Sequence, residues 1–224
     1  MQIYFICIIS ETFYSKIVLK FDYFCILRES ILNYLSHIFL SKNQTGIAIG
    51  NFIGDFVKGS QFNDYPGNIR KGIILHRKID HFTDNHPVVI ELKAFIRPTF
   101  GRYSGIILDM YFDFFLASNF KKYSSVYSLN LFAFKFYLAV LWNYKYLPSR
   151  VKGFIFHFIF TNRLNKYSTI EGLRNSLQIM AYHKMPALKP DNTINFLVDN
   201  KSKLEEKFQL FFPELIKFVD NLIV

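Results

Sequence analysis

From Asn33 onward, strict alternation of apolar and polar residues is hard to find, and apolar residues instead recur at helical spacing between proline, glycine and asparagine breaks. That pattern predicts helices over roughly 45–58, 66–83, 87–98, 101–118, 126–145, 149–161, 169–182 and 192–222. The expected breakers are Gly59-Ser60, Asn63-Asp64, Pro87, Pro98, Gly101, Pro148, Pro186 and Pro190. Pro66 and Pro87 stand where the first turn of a helix tolerates proline, whereas Pro213 is expected to kink or split the last helix. The expected fold class is therefore all-α, a single helical domain, which suits a chain of 224 residues.

Residues 1–32 differ from the rest. They mix β-branched and aromatic residues without a sustained period, and they hold both cysteines, Cys7 and Cys25. They read either as an N-terminal extension packed on the domain or as a start-site artefact, with the domain proper spanning 33–224. The domain itself has no cysteine, which excludes disulfides and thiolate chemistry there and fits a reducing cytoplasm.

The net charge of +10 falls wholly outside the extension, where Lys16, Lys20 and Arg28 cancel Glu11, Asp22 and Glu29. A basic surface calls for an acidic partner or a phosphate-bearing substrate. Residues 1–9 are apolar but too short to cross a membrane. Leu131–Leu147 is interrupted by Lys135 and Lys145 and reads as a buried helix, so no integral membrane insertion is expected. The sequence carries no P-loop, dinucleotide fingerprint, CxxC, HExxH or GxSxG pattern.

Chemistry concentrates between Asp55 and Asp113. In KGIILHRKIDHFTDNHP (71–87), His76, Asp80 and Asp84 follow each other at one-turn spacing, so one helix presents them along one face. Imidazole and carboxylate suit Mn²⁺, Fe²⁺, Mg²⁺ or Zn²⁺, and the plain alternative is a solvated helix face. Asp84 stands open between a place in the site and a cap on the next helix; His81 and His86 fall off the face and read as surface residues. In GIILDMYFDFF (105–115), Asp109 and Asp113 are again one turn apart, in a run otherwise almost wholly apolar. Buried carboxylates need a partner, either a metal ion or a base such as Arg77. Asp55 and Lys58 lie in GNFIGDFVKG (50–59), whose three glycines permit close approach of a ligand or of another helix. His37 sits among apolar neighbours and by itself reads as a core histidine. Five of the seven acids between residues 34 and 120 belong to this constellation, in basic surroundings, as a metal centre acting on a phosphate ester requires.

NYLSHIFLS (33–41), GNFIGDFVKG (50–59), GIILHRKIDHFTDNHP (72–87), YSGIILDMYFDFFLASNF (103–120) and LRNSLQIMAYH (173–183), in this order, resemble the acyl carrier protein phosphodiesterases. The resemblance implies a helical fold related to HD-domain phosphohydrolases, Mn²⁺ dependence with Mg²⁺ or Fe²⁺ as alternatives, and hydrolytic release of 4′-phosphopantetheine from an acidic carrier protein. It places His37, Asp55, His76, Asp80, Asp84, Asp109 and Asp113 at motif positions. The expected metal ligands are His37, His76, Asp80, Asp109 and Asp113, with Asp55, His76 and Asp80 as catalytic residues. Lys58, Arg70, Arg77 and Lys78 are expected to serve phosphate or carrier-protein binding. One departure stands out: family members commonly carry a histidine where this chain has Phe114. This leaves open a catalytically impaired carrier-binding homologue and, separately, an HD-type nucleotide phosphohydrolase. Binding to nucleic acid ranks last, since no reading helix or RNA motif is recognisable.

Overall fold

The computed structural model describes residues 34–183 and 185–223, and the readings made for residues 1–32 lie outside them. Helices account for nearly all regular structure, and no strand occurs among the described residues. The chain runs α1 Tyr34–Phe39, α2 Thr45–Ile53, α3 Gly67–Asn85, α4 Pro87–Phe100, α5 Ser104–Ser118, α6 Phe120–Tyr123 and α7 Leu129–Trp142. It continues through α8 Ser149–Phe160, α9 Arg163–Lys166, α10 Ile170–His183, α11 Pro190–Asp199 and α12 Lys201–Asp220. The all-α expectation holds in a single helical domain. No helix among the described residues is long and apolar enough to cross a membrane.

The core forms around α5. A helix apolar on every side is stable only when surrounded, and α5 buries Ile107, Leu108, Met110, Tyr111, Phe112, Phe114, Phe115 and Leu116. Phe112 and Phe115 meet Phe208 of α12, and the Tyr111 hydroxyl donates to the Thr193 carbonyl of α11 at 2.7 Å. The glycines of 50–59 serve helix packing: a Cβ on Gly50 would strike the Ile69 carbonyl, and one on Gly72 would strike that of Ile47. With no side chains at that crossing, α2 lies directly on α3.

Several boundaries depart from the sequence expectation. Pro98 does not break α4, because it falls in the last turn; the helix ends at Gly101, which takes a positive φ of 55°. Pro213 lies inside α12, and the long C-terminal helix divides instead at Asn200, whose side chain donates to the Phe196 carbonyl at 2.9 Å. The segment 126–145 shortens to α7, which is only half buried: Leu131, Phe134, Leu138, Leu141 and Trp142 face outward. α1 lies ahead of the first predicted helix; a six-residue helix has too little propensity of its own to be read from sequence.

Candidate metal centre

Three donors, one from α1 and two from α3, come together. His37 Nε2 lies 3.3 Å from Asp80 Oδ1, and His76 Nε2 lies 3.2 Å from Asp80 Oδ2. One donor atom from each of the three residues falls within 4.8 Å of the others. The two imidazoles stack with centroids 4.1 Å apart. Asp55 joins from the short 3-10 turn Gly54–Phe56, with Oδ1 3.3 Å from His76 Nε2. Gly54 is required beside it, since a Cβ there would collide with the His76 ring.

The His37 tautomer follows from its neighbour. Asn51 donates through Nδ2 to the His37 carbonyl (2.6 Å) and to Ser41 Oγ (3.1 Å), which fixes its amide orientation. Its Oδ1 therefore faces His37 Nδ1 at 2.8 Å and accepts the proton there. That leaves Nε2 as a lone pair aimed at a carboxylate, an arrangement that calls for a cation or a proton between them. His76 repeats the demand. Both its ring nitrogens are buried without a hydrogen bond, although carboxylate oxygens stand at ion-pair distance from Nε2. The spacing is right for attraction, while the alignment is wrong for N–H···O bonding.

Electrostatics agree. Burial lowers the His37 pKa, but the hydrogen bond and charge of Asp80, with Asp55 and Asn51 adding to them, raise it above its ordinary value overall. Burial likewise works against ionised Asp80, yet the His37 hydrogen bond and the charges of His37 and His76 hold its carboxyl below the usual range. Its side chain remains 46% exposed, so the cluster opens to solvent on that side.

The α5 carboxylates behave differently. Asp113 is 1% exposed and serves as an anchor for α1, accepting from Leu35 N–H (3.0 Å), Ser36 N–H (2.9 Å) and the Ser36 hydroxyl (2.6 Å). It lies outside the three-donor group, because the unsatisfied amides at the start of α1 occupy its oxygens. Burial pushes its carboxyl up to about 6, against the pull of those donors. Asp109, also outside that group, feels it: burial raises its carboxyl to about 7, Lys93 and His37 pull it back, and Asp80 and Asp113 add to the rise.

Other expected residues find different partners. Asp84 neither caps α4 nor shares the cluster; it pairs with Lys93 Nζ at 2.6 Å, and the cap is His86, whose Nδ1 accepts from Val88 N–H. His86 is buried rather than on the surface, packed between Phe82 and Phe211, with Glu214 Oε2 3.1 Å from its Nε2. Arg77 reaches the loop after α2: its Nη2 donates to the Val57 (3.0 Å) and Gly59 (2.8 Å) carbonyls, and its guanidinium lies over Phe62. It pairs with neither α5 carboxylate. Lys58, Arg70 and Lys78 are exposed. Phe114 is buried, edge-on to Phe115. Asn51 and Ser36 were not foreseen, although a carboxamide inside apolar IAIGNFIG signals a buried partner.

A family model for acyl carrier protein phosphodiesterase matches residues 32–215. The chain belongs to the acyl carrier protein phosphodiesterase family. Among its relatives in that family, a Yersinia pestis acyl carrier protein phosphodiesterase is 26% identical over 186 residues, covering 83% of this chain and 96% of the relative. One from Klebsiella pneumoniae subsp. pneumoniae is 28% identical over 193 residues, covering 85% and 98%. No solved structure matches the chain.

Proposed function

We propose that this chain hydrolyses the phosphodiester joining 4′-phosphopantetheine to an acyl carrier protein, with a divalent cation, Mn²⁺ in the first instance, held by His37, His76 and Asp80. The observation that carries the reading is the three-donor cluster within a chain that matches this family along most of its length. The donors fit a cation. Two atoms bound to one ion at about 2.1 Å stand roughly 3.0–3.4 Å apart, and 3.2 and 3.3 Å separate the imidazole nitrogens from the Asp80 oxygens. The unpartnered His76 nitrogens support the same reading.

Held by His37, His76 and Asp80, a divalent cation would polarise a phosphoryl group and lower the pKa of a water. Asp55, beside His76 and partly exposed, is placed to take a proton from an attacking water as general base. Asn51 holds His37 in the tautomer that presents Nε2, and Asp113 sets the position of α1, which carries His37. Burial raises the Asp109 carboxyl to about 7, so it exchanges a proton near neutral pH within reach of the charges of His37 and Asp80. Lys58, Arg70 and Lys78 meet the acidic carrier protein, while Arg77 shapes the loop that presents Lys58. The reaction takes place in the cytoplasm, where carrier proteins work.

The test is to incubate the full chain with holo acyl carrier protein and Mn²⁺ and weigh the carrier by mass spectrometry. Loss of the prosthetic group is expected, and it would exclude the impaired-homologue reading of Phe114. An intact carrier after incubation with folded, Mn²⁺-loaded protein would refute the proposal.

A further inference from the structure

α7, LNLFAFKFYLAVLW, is apolar on all sides, and such a helix is normally surrounded. Here Phe132, Ala133, Phe136, Tyr137 and Val140 enter the core, while Leu131, Phe134, Leu138, Leu141 and Trp142 remain outside. Trp142 is 89% exposed, Phe134 58% and Leu138 52%. The first four of the outward residues are spaced three, four and three apart, the spacing of a helix seam that packs against another helix. The single charge on α7, Lys135, donates to the Tyr127 hydroxyl at 2.8 Å, and the two polar groups line one wall of the groove beside Ile38.

The relief of this face is that of a ridge between two grooves. On one side α7 borders a groove of about 630 Å³ closed by Ile38, Thr45 and Ala48. On the other side a groove of about 450 Å³ is closed by Ile159, Asn162 and Asn165. Leu138 borders both, so it stands on the crest. A ridge flanked by grooves is complementary to its own copy turned by a two-fold axis, each ridge filling a groove of the other. The outward side chains of α7 expose roughly 600 Å² before the groove walls are counted, at the upper end of the apolar patch a monomer leaves bare, and the groove walls bring the face toward the ~800 Å² per partner of a stable interface.

We infer that the outward face of α7 is the interface with a second copy of this chain, formed symmetrically, with the Leu138 crest of each copy seated in a groove of the other. None of the candidate metal-centre residues lies on α7.

Sedimentation equilibrium on the full chain, followed together with the emission of its one tryptophan, tests this. The wild type is expected to run as a dimer at micromolar concentration, with Trp142 emission shifting to the blue as dimer forms. Leu138→Asp is expected to weaken association at least about a hundredfold, since each dimer receives two buried charges. Phe134→Ser provides a milder second variant, and far-UV circular dichroism reports whether each remains helical. A wild type that stays monomeric to ~50 µM would overturn the inference, and so would a folded Leu138→Asp or Phe134→Ser variant that dimerises as the wild type does. Monomeric wild type that binds anionic phosphatidylglycerol vesicles would assign the face to lipid and would also overturn it.

Discussion

α3 and α5 each carry a pair of site candidates one helical turn apart, and the two pairs end in different chemistry. On α3, His76 and Asp80 face another imidazole across a gap open to solvent, and neither His76 nitrogen has a hydrogen bond. On α5, Asp113 is filled by three donors from the start of α1, and Asp109 is left beside the cluster with its carboxyl raised to about 7. Spacing alone makes a pair of ligands or a pair of anchors. What decides is whether the opposite wall brings unsatisfied donors to the carboxylate or unsatisfied acceptors.

The sharpest way to break the contrast is to remove the α3 donors. His76→Ala and Asp80→Ala are each expected to weaken Mn²⁺ binding by a hundredfold or more, about 3 kcal/mol, and to abolish release of the prosthetic group. Isothermal titration checks the first effect and carrier mass the second. Asp113→Ala should instead act on folding. It strips three donors of their acceptor at a buried helix start, and a loss of about 2–3 kcal/mol is expected in urea denaturation. If Asp113→Ala kept its stability but lost Mn²⁺, the division between the two helices would be wrong.

A smaller effect separates the helices by pH. The Asp109 carboxyl is raised above its unfolded value of 3.8 to about 7. Between these values the folded state holds more protons than the unfolded state. The contribution of Asp109 to stability is therefore greatest below about pH 4 and is lost as pH rises through 7. Metal-free wild type should lose roughly 2 kcal/mol more than Asp109→Asn between pH 5 and pH 8. If Mn²⁺ erased that difference, the ion would reach Asp109 and the two faces would form one site. The smallest effect belongs to Asp84, whose exposed pair with Lys93 is worth under about 1 kcal/mol. Asp84→Ala should leave Mn²⁺ affinity unchanged within twofold.

Much of this is legible in the chain itself. Missing period-2 alternation and regular breakers point to an all-helical fold, and His76 with Asp80 needs only one helix to be read as a donor pair. The residues that escape are those whose partners are remote. Asp113 reads from its spacing as a ligand candidate, and its role as an anchor for the amides of Leu35 and Ser36, 78 and 77 residues earlier, comes only with the fold. His86 reads as surface until Glu214 arrives from 128 residues away. Arg77 reads as a phosphate contact, and the fold adds what spacing does not show, that its Nη2 also donates to the carbonyls of Val57 and Gly59 in the loop after α2. Periodicity reports which face a side chain occupies, and only the fold reports what faces it.

Pulsed electron paramagnetic resonance of Mn²⁺ bound to the full chain, read for nitrogen couplings, addresses the His37–His76–Asp80 centre directly. Wild type should show couplings from two imidazoles, His37→Gln and His76→Gln should each retain one, and Asp113→Asn should retain both. A wild-type spectrum without imidazole nitrogen, or one unchanged in both histidine variants, would contradict the assignment.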